Sequence, residues 1–167
     1  MHEKYTLRMD LILWRHAEAQ EHPTLHGQSG DVQDLARRLT SRGEKQATRM
    51  AAWLDRQLPE GARVYASPAQ RTEQTARALG RKFKLSDALL PEAQVHAVLD
   101  LAQWPHGKGP VVVVGHQPTL GRIIAQLLRL AEEDCPMKKG ALWWLRQRER
   151  NGQMQTLIVT VQTPELL

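Results

Sequence analysis

Short apolar runs alternate with amphipathic stretches along the chain. Residues 9–14 form an apolar run that has no helical period and ends at Arg15, which is typical of a buried strand. The four consecutive valines of residues 111–114 predict a strand that is covered on both faces. Between these two runs, residues 62–66 predict a further short strand. Each of the three predicted strands stops at a polar segment.

Helical periods occupy much of the sequence between these strands. Ser41 and Glu44 have the spacing of a capping box, which predicts a helix that begins near Ser41. The expected buried face of this helix consists of Ala47, Met50, Ala51, Leu54 and Leu58. Residues 94–104 predict another helix, and so does the segment after Pro118, with a buried face of Leu120, Ile123, Ile124, Leu127 and Leu128.

A helix is also expected to open at Ser67, with the serine as its N-cap and Pro68 in its first position. Gln70 completes a second capping box. The residues expected on the buried face of this helix are Thr72, Ala76, Leu79 and Phe83.

The rest of the pattern completes an α/β fold with a mostly parallel sheet. Residues 141–148 and 155–162 predict two strands, joined by a turn at residues 151–152. Residues 20–34, rich in His, Gly, Gln and Ser, predict a loop, and residues 1–8 predict a loose polar tail. The length of 167 residues is that of a single domain.

Composition narrows the expected partners and compartment. The net charge is +5, but the basic residues are spread along the chain without interleaved aromatic residues, so neither nucleic acid nor a membrane is expected as a partner. The single cysteine, Cys135, excludes an intrachain disulfide and favours a reducing compartment. The N-terminal sequence lacks the apolar core of a signal peptide, and no run reaches the roughly 18 apolar residues of a membrane helix. We therefore expect a cytoplasmic protein.

The three strand ends carry the residues best suited to chemistry, namely Arg15 and His16, Ser67 and Arg71, and His116. Ligands of parallel α/β sheets bind at the carboxyl ends of the strands. If the three strands are near neighbours, two arginines and two histidines converge at one edge of the sheet.

This set of side chains fits phosphoryl transfer. Paired guanidinium groups match the oxygens of a phosphoryl dianion. A neutral imidazole is a competent nucleophile toward phosphorus, and a second, protonated imidazole can neutralise the phosphoryl oxygens. Backbone donors at the helix starts that follow Ser67 and Gln117 would support the phosphate.

Four segments resemble motifs of the histidine phosphatase superfamily. Residues 15–17, RHA, resemble the RHG signature with Ala17 in the glycine position, and the run RHAEA is similar to the short SixA-like branch of phosphohistidine phosphatases. Residues 39–43 resemble the motif L-T-x-x-G, and residues 67–75 resemble S-P-x-x-R-x-x-x-T. Residues 112–118, VVVGHQP, resemble the second histidine segment. Four motifs in the correct order are a specific signal, although each alone is weak.

The resemblance implies a fold, a mechanism and a set of roles. The fold would be a three-layer α/β/α sandwich like that of phosphoglycerate mutase. His16 would be the residue that is phosphorylated in turnover, and Arg15, Arg71 and His116 would form the phosphate pocket. No metal or organic cofactor is implied.

The proton donor stays open between two glutamates. Larger family members supply a glutamate from a segment after the second helix, and Glu92 falls in that region. Glu18, which directly follows the RHA segment, is the alternative. A phosphohistidine substrate needs less acid help, because imidazole is a better leaving group than an alkoxide.

The expected activity is that of a phosphatase with a phosphohistidine intermediate, acting on a phosphorylated protein. A short chain without an inserted cap leaves an open site that can admit a protein surface. The alternatives are a phosphatase of small phosphate esters and a module that binds phosphate without turnover. The expected partner is therefore a phosphohistidine protein or a small phosphorylated molecule.

The remaining charged positions are expected to have ordinary roles. His2, His22, His26, His96 and His106 are interpreted as structural or exposed residues. Lys138 and Lys139 form a turn that could attract an acidic partner if it lies near the rim of the site.

Overall fold

The computed structural model describes residues 8–167 and contains a six-stranded central sheet. The strands are β1 (Arg8–Arg15), β2 (Arg63–Ala66), β3 (Lys84–Leu85), β4 (Val111–Gly115), β5 (Leu142–Arg150) and β6 (Gln153–Gln162). They lie in the order β3-β2-β4-β1-β5-β6. The pairs β1–β4, β2–β4 and β2–β3 are parallel, whereas β5 runs antiparallel to both β1 and β6. The mostly parallel sheet predicted from the sequence is confirmed.

Helices cover both faces of this sheet. They are α1 (Val32–Leu35), α2 (Ser41–Gln57), α3 (Gln70–Arg77), α4 (Val95–Ala102) and α5 (Thr119–Leu128), with two short 3₁₀ turns at Asp87–Leu89 and Pro164–Leu166. Residues of α2 and α3 share one apolar cluster with the sheet, and residues of α4 and α5 share the other. This is the predicted three-layer α/β/α sandwich.

The alternating side chains of the central strands divide the core between the two faces. Ile12 of β1 belongs to the cluster under α2 and α3, and Leu13 belongs to the cluster under α4 and α5. In β4, Val112 and Val113 divide in the same way, and all four valines are buried. The valine run is therefore a strand covered on both faces, as its composition predicted.

The first strand begins within the predicted N-terminal tail, and the C-terminal strands form the predicted hairpin. The predicted loose tail, residues 1–8, lies outside the described residues except for Arg8, which begins β1. At the C-terminal end the two predicted strands pair as a hairpin. Its turn residues Asn151 and Gly152 have φ values of 52° and 74°, as a two-residue hairpin turn requires.

Two predicted N-caps are wrong. The cap of α2 is Thr40, whose hydroxyl accepts from the Gly43 N–H at 3.0 Å, and Ser41 is the first helical residue. The start of α3 is Gln70 with Ala69 as its cap, not Ser67. The hydroxyl of Ser67 lies 2.8 Å from His116, a bond across two strands that a local capping rule does not anticipate.

The predicted buried faces of the helices are largely correct. Those of α2 and the N-terminal part of α5 are buried as expected, while Leu127 and Leu128 pack only partly buried against the core. Thr72, Ala76 and Leu79 are buried, but Phe83 lies after the end of α3 and is partly buried. The helix expected over residues 94–104 is shorter and ends at Ala102.

Residues 20–38 leave the sheet as a compact excursion loop. An antiparallel bridge between Ala19 and Leu39 closes its base, and the Gln20 N–H donates to the Arg38 carbonyl at 2.8 Å. The predicted loop is irregular up to α1, which begins at Val32. Its closed ends are typical of the compact surface loops that carry functional residues.

Within residues 8–167, no helix is both long enough and apolar enough to cross a bilayer.

Candidate active site

The carboxyl ends of β1, β2 and β4 meet at one edge of the sheet, because β1 and β2 both pair with β4. His16, Ser67 and His116 each follow one of these strands. The rings of His16 and His116 lie with their centroids 5.4 Å apart. The structure therefore brings together the three segments that the sequence singled out.

His16 has one ring nitrogen engaged by the backbone. Its side chain is only 7% exposed, and Nδ1 lies 2.7 Å from the carbonyl oxygen of Ala17. A carbonyl only accepts, so Nδ1 carries the ring proton and Nε2 keeps its lone pair. Burial lowers the pKa of His16 to about 3, and the charges of Arg71 and Arg15 act in the same direction. His16 is therefore a neutral imidazole at neutral pH, the form that can attack phosphorus.

Arg15 and Arg71 supply two guanidinium groups to the same site. Nη1 of Arg15 donates to the Met137 carbonyl at 2.6 Å. Arg71 donates from Nη1 to the Asp34 carbonyl at 2.7 Å and from Nη2 to the Asp34 carboxylate at 3.3 Å. Burial lowers the pKa of both arginines, but a guanidinium keeps its charge in proteins. Each guanidinium group is thus held by hydrogen bonds from its Nη atoms.

Unsatisfied polar atoms concentrate at this edge of the sheet. Among the described residues, four buried side-chain nitrogens lack a hydrogen-bond partner, and three of them are Nε of Arg15, Nε of Arg71 and Nδ1 of His116. Buried polar groups without partners are costly and rare. Arg15, Arg71 and His116 all line one cavity, and two guanidinium groups beside an imidazole suit a ligand that is anionic and rich in oxygen.

His116 differs from the expectation of a protonated imidazole. Its Nε2 lies 2.8 Å from the Ser67 hydroxyl. Burial lowers the pKa of His116 to about 2, and His16 and Arg71 act in the same direction. His116 is therefore neutral in the protein alone, since a cation buried beside Arg71 would be unfavourable. A bound phosphoryl dianion would raise its pKa.

A cavity of about 420 Å³ opens over these residues. It is lined by Arg15, His16, Ala19, Glu21, His22, Gly27, Gln28, Ser29, Asp34, Arg37, Arg71, Pro91, His116, Gln117 and Lys139. Seven of these fifteen residues belong to the excursion loop, which therefore forms one wall of the cavity.

Neither predicted proton donor lines this cavity. The carboxylate of Glu18 accepts from the Thr40 hydroxyl at 2.9 Å and lies 3.7 Å from Arg42, at the start of α2. Glu92 is exposed, and its neighbour Pro91 lines the cavity in its place. Among the described residues, the carboxylates that do line the cavity are Glu21 and Asp34.

The two predicted supporting residues both lie at the site. Ser67 is fully buried, and its hydroxyl binds the His116 ring. Gln117 lines the cavity, but its amide bridges two backbone groups, accepting from the Gly121 N–H at 2.7 Å and donating to the Cys135 carbonyl at 2.9 Å. Gln117 thus fixes the start of α5 beside the site.

Asp34 and Arg37 were missed by the sequence reasoning. Asp34 is buried and accepts from Nε of Arg37 at 2.8 Å and from the Gly30 N–H at 2.8 Å, besides its contact with Arg71. Although burial opposes it, the combined effect of these donors lowers the pKa of Asp34, so that it is a carboxylate between two cations. The sequence does contain a signal for this pair, because Asp34 and Arg37 are an acid and a base spaced one helical turn apart. Many other polar residues surround them in the loop, so the pair does not stand out.

Two further residues correct or extend the sequence interpretation. His22, interpreted as structural or exposed, lines the cavity and lies 2.9 Å from the carboxylate of Asp31. Lys139, for which a plain turn and a position near the rim were both left open, lines the cavity.

Thr75 joins α3 to the segment that follows His16. Its hydroxyl accepts from the Ala17 N–H at 3.2 Å and donates to the Arg71 carbonyl at 2.8 Å. Ala17 is fully buried and is not among the residues with positive φ, so alanine in the glycine position causes no backbone strain.

Within the described part of the chain, no group of three or more His, Cys, Asp or Glu side chains is arranged to hold a metal ion.

Comparison with known proteins gives the same assignment from the sequence and from the fold. Residues 11–94 match the model of the histidine phosphatase superfamily (branch 1). The chain is 34% identical over 128 residues to the phosphohistidine phosphatase SixA of Escherichia coli, covering 71% of this chain and 74% of that protein. It is 28% identical over 134 residues to the SixA homolog of Haemophilus influenzae, covering 71% of this chain and 77% of the homolog.

Solved structures show the same architecture. A candidate SixA phosphohistidine phosphatase from Nakamurella multipartitia superposes with a TM-score of 0.70 at 28% identity, covering 94% of this chain and 96% of that one. The protein histidine phosphatase SixA in complex with tungstate superposes with a TM-score of 0.71 at 24% identity, covering 95% and 99%.

Proposed function

The chain belongs to the histidine phosphatase superfamily, and from that premise we propose that it removes phosphoryl groups from phosphohistidine in proteins. Membership of this family makes it a phosphatase. The observation that carries the mechanism is the 2.7 Å distance from Nδ1 of His16 to the Ala17 carbonyl oxygen, from which we infer that Nδ1 holds the ring proton and Nε2 is the nucleophile. The curated relatives named above are phosphohistidine phosphatases, which supports the choice of substrate.

The first step transfers the phosphoryl group to the enzyme. Nε2 of His16 forms a bond to phosphorus while the bond from phosphorus to the substrate imidazole breaks. The departing ring leaves as neutral imidazole when its other nitrogen is already protonated, so the step needs little help from a protein acid. Arg15 and Arg71 neutralise the phosphoryl oxygens throughout.

The second step regenerates the enzyme. Water attacks phosphorus, the bond from phosphorus to Nε2 of His16 breaks with its electron pair staying on Nε2, and inorganic phosphate leaves with both protons of the water. The Nδ1–H bond to Ala17 keeps the ring in one orientation through both steps. Arg15, Arg71 and His116 line the same cavity as His16, and we assign them to the phosphoryl oxygens in this step as well.

Trapping the intermediate tests this mechanism. After rapid quenching during turnover of a phosphohistidine peptide, we expect the phosphoryl group on His16, and none in the His16→Ala variant. Mapping to Ser67 would overturn the mechanism.

A comparison of substrates tests the choice of phosphohistidine. We expect the phosphohistidine peptide to be hydrolysed faster than a sugar phosphate such as glucose 6-phosphate. Faster hydrolysis of the sugar phosphate would assign the enzyme to small esters, and equal inactivity of wild type and His16→Ala on every substrate would leave only a binding role.

We also infer that the protein works in a reducing compartment such as the cytoplasm. The support is compositional, because the chain has a single cysteine, Cys135. Fractionation of the source cells, with the protein detected by antibody, tests this location.

A further inference from the structure

We propose that Leu25 and Val32, which we call the loop patch, form a docking surface for the folded protein that carries the phosphohistidine. This inference rests on the proposed function. Leu25 is 91% exposed and Val32 is 84% exposed, the two highest values among the large apolar residues in the described part of the chain. Both belong to the excursion loop, which forms a wall of the catalytic cavity.

The loop patch does not line the cavity, but it belongs to the loop that forms one wall of the cavity. Leu25 is two residues before Gly27, and Val32 is two residues before Asp34, and both of these neighbours line the cavity. His16 is 7% exposed, so a phosphohistidine on a protein reaches it only if the surface around that histidine rests on the rim. A partner that reaches His16 therefore rests beside the loop that carries the loop patch.

The loop holds these two side chains in place through a set of hydrogen bonds. Leu25 occupies a turn closed by the bond from the Gly27 N–H to the Thr24 carbonyl at 3.0 Å, and Val32 follows Asp31, the N-cap of α1. The Thr24 hydroxyl lies 2.9 Å from the amide oxygen of Gln33, which ties the two segments together. A surface that is ordered before binding loses less conformational entropy when the partner arrives.

His22 and Asp31 fasten the same loop from within. The Thr24 N–H donates to Nδ1 of His22 at 2.9 Å, so the ring proton is on Nε2, which donates to both carboxylate oxygens of Asp31 at 2.9 and 3.0 Å. Gly27 allows the close packing, because a Cβ there would lie 1.9 Å from the His22 ring. Leu25 therefore lies in a turn whose backbone is held by hydrogen bonds within the loop.

The chemistry of the rim defines the partner. Single exposed apolar residues are common on proteins, but here two of them flank a cavity whose lining carries Arg15, Arg37, Arg71 and Lys139. The surface that fits combines an apolar patch beside the phosphohistidine with acidic residues toward Lys139. Two side chains are too few for stable membrane binding, so a protein is favoured over a lipid surface.

Kinetics on paired substrates test the docking surface. The variant is the double substitution Leu25→Asp and Val32→Asp. The substrates are free phosphohistidine and the histidine-phosphorylated protein of the source cell that the wild type hydrolyses most efficiently. We expect kcat/KM on the phosphoprotein to fall at least about tenfold, mainly through KM, while kcat/KM on free phosphohistidine stays within about twofold. Ile158→Asp is the matched control, an exposed apolar residue on β6 that does not line the cavity and for which no change is expected on either substrate.

Several results would overturn this proposal. Equal losses on both substrates, no loss on the phosphoprotein, or a wild type that hydrolyses free phosphohistidine as efficiently as any phosphoprotein would each exclude docking. Binding of the wild type, but not the variant, to vesicles of phosphatidylcholine and phosphatidylserine would assign the loop patch to a membrane. Loss of a dimer in the variant, measured by sedimentation velocity, would assign it to a second copy of the chain. Failure of the proposed function is distinct, since the wild type would then hydrolyse no phosphohistidine at all.

Discussion

At the scale of single residues, the proton on His16 is placed by its chain neighbour through the backbone. The acceptor is the carbonyl of Ala17, so the tautomer does not depend on the side chain at position 17. Thr75 holds the N–H of the same residue. His16, the proposed nucleophile, is therefore oriented by groups that substitution at position 17 leaves in place, provided that the new side chain fits the buried space.

Asp34 is expected to act as a positioning residue. Asp34→Asn removes a charge that lies between Arg71 and Arg37, so both guanidinium groups lose their ionic partner and keep only their bonds to backbone carbonyls. We expect kcat/KM to fall about 10- to 100-fold, because small displacements of positioning groups have effects of that size. Steady-state kinetics with the phosphohistidine peptide measure this. Asp55→Asn is the control, since Asp55 pairs with Arg81 and neither lines the cavity; equal losses in the two variants would contradict the role.

The glutamates are expected to differ according to their distance from the cavity. Glu92→Gln should keep phosphohistidine hydrolysis within about twofold, because Glu92 is exposed and does not line the cavity. Glu21→Gln removes the lining carboxylate that is not shared between arginines. We expect it to lower hydrolysis of an alkyl phosphate more than that of phosphohistidine, because an alkoxide needs a proton to leave. Initial rates on both substrates measure the difference, and near-complete loss in Glu92→Gln would restore Glu92 as the proton donor.

At the scale of elements, the start of α2 packs closely against the segment that follows His16. A Cβ on Gly43 would lie 1.9 Å from the carbonyl oxygen of Glu18, which also accepts from the Thr40 N–H at 3.0 Å. The helix and the segment behind the nucleophile therefore touch backbone to backbone.

Gly43→Ala is expected to destabilise the fold by about 1–3 kcal/mol, because one of these two backbones must move. The free energy of unfolding in urea measures the effect. The control is Gly61→Ala, since a Cβ at Gly61 meets nothing within 4 Å and its φ is not positive. Equal stability of the two variants would show that α2 can shift without cost.

For some elements, the local sequence pattern is enough to predict the structure. The valine run, the amphipathic period of α2 and the Asn151-Gly152 turn each specify their structure within a few residues, and all were correctly predicted. Ser67 fits an N-cap equally well by sequence, yet its hydroxyl is engaged by His116, which is 49 residues away in the chain. Capping rules concern neighbours in the chain and do not anticipate a competing partner from another strand.

At the scale of the whole molecule, the two active-site histidines make stability depend on pH. Their folded pKa values, about 3 for His16 and about 2 for His116, lie below the ordinary value of about 6.5. Between these limits the unfolded chain binds protons that the folded chain does not, so the free energy of unfolding decreases as pH falls below about 6.5.

His16→Asn is expected to lose less stability than the wild type between about pH 7.5 and about pH 5, a window that lies above the titration of Asp34. Urea unfolding at both pH values measures the difference. His26→Asn, at an exposed position in the excursion loop, should keep the wild-type dependence. An unchanged pH dependence in His16→Asn would contradict burial as the cause of the lowered pKa.

The path of the chain through the whole molecule decides which residues of the site could be predicted from the sequence. Arg15 and His16 lie at the carboxyl end of β1 and His116 follows β4. Their convergence was predicted on the condition that these strands are near neighbours, which the parallel pairing of β1 with β4 meets. Asp34 and Arg37 lie in a polar loop, and their position depends on how residues 20–38 fold back over the sheet. That path is set by bonds such as Gly30 to Asp34, which leave no periodic trace in the sequence.

The bridge between Ala19 and Leu39 closes the base of the excursion loop, so the loop is structurally separate from the strands of the sheet. Because its two ends are already paired, the segment between them can change in length and composition without altering the strands. Its tip, residues 23–26, has no residue that lines the cavity and is therefore able to vary, whereas Gly30, Asp34 and Arg37 are needed to keep the arginines of the site in place. Grafting the tip from one family member onto another is a practical way to redirect the enzyme toward a new protein while its chemistry stays unchanged.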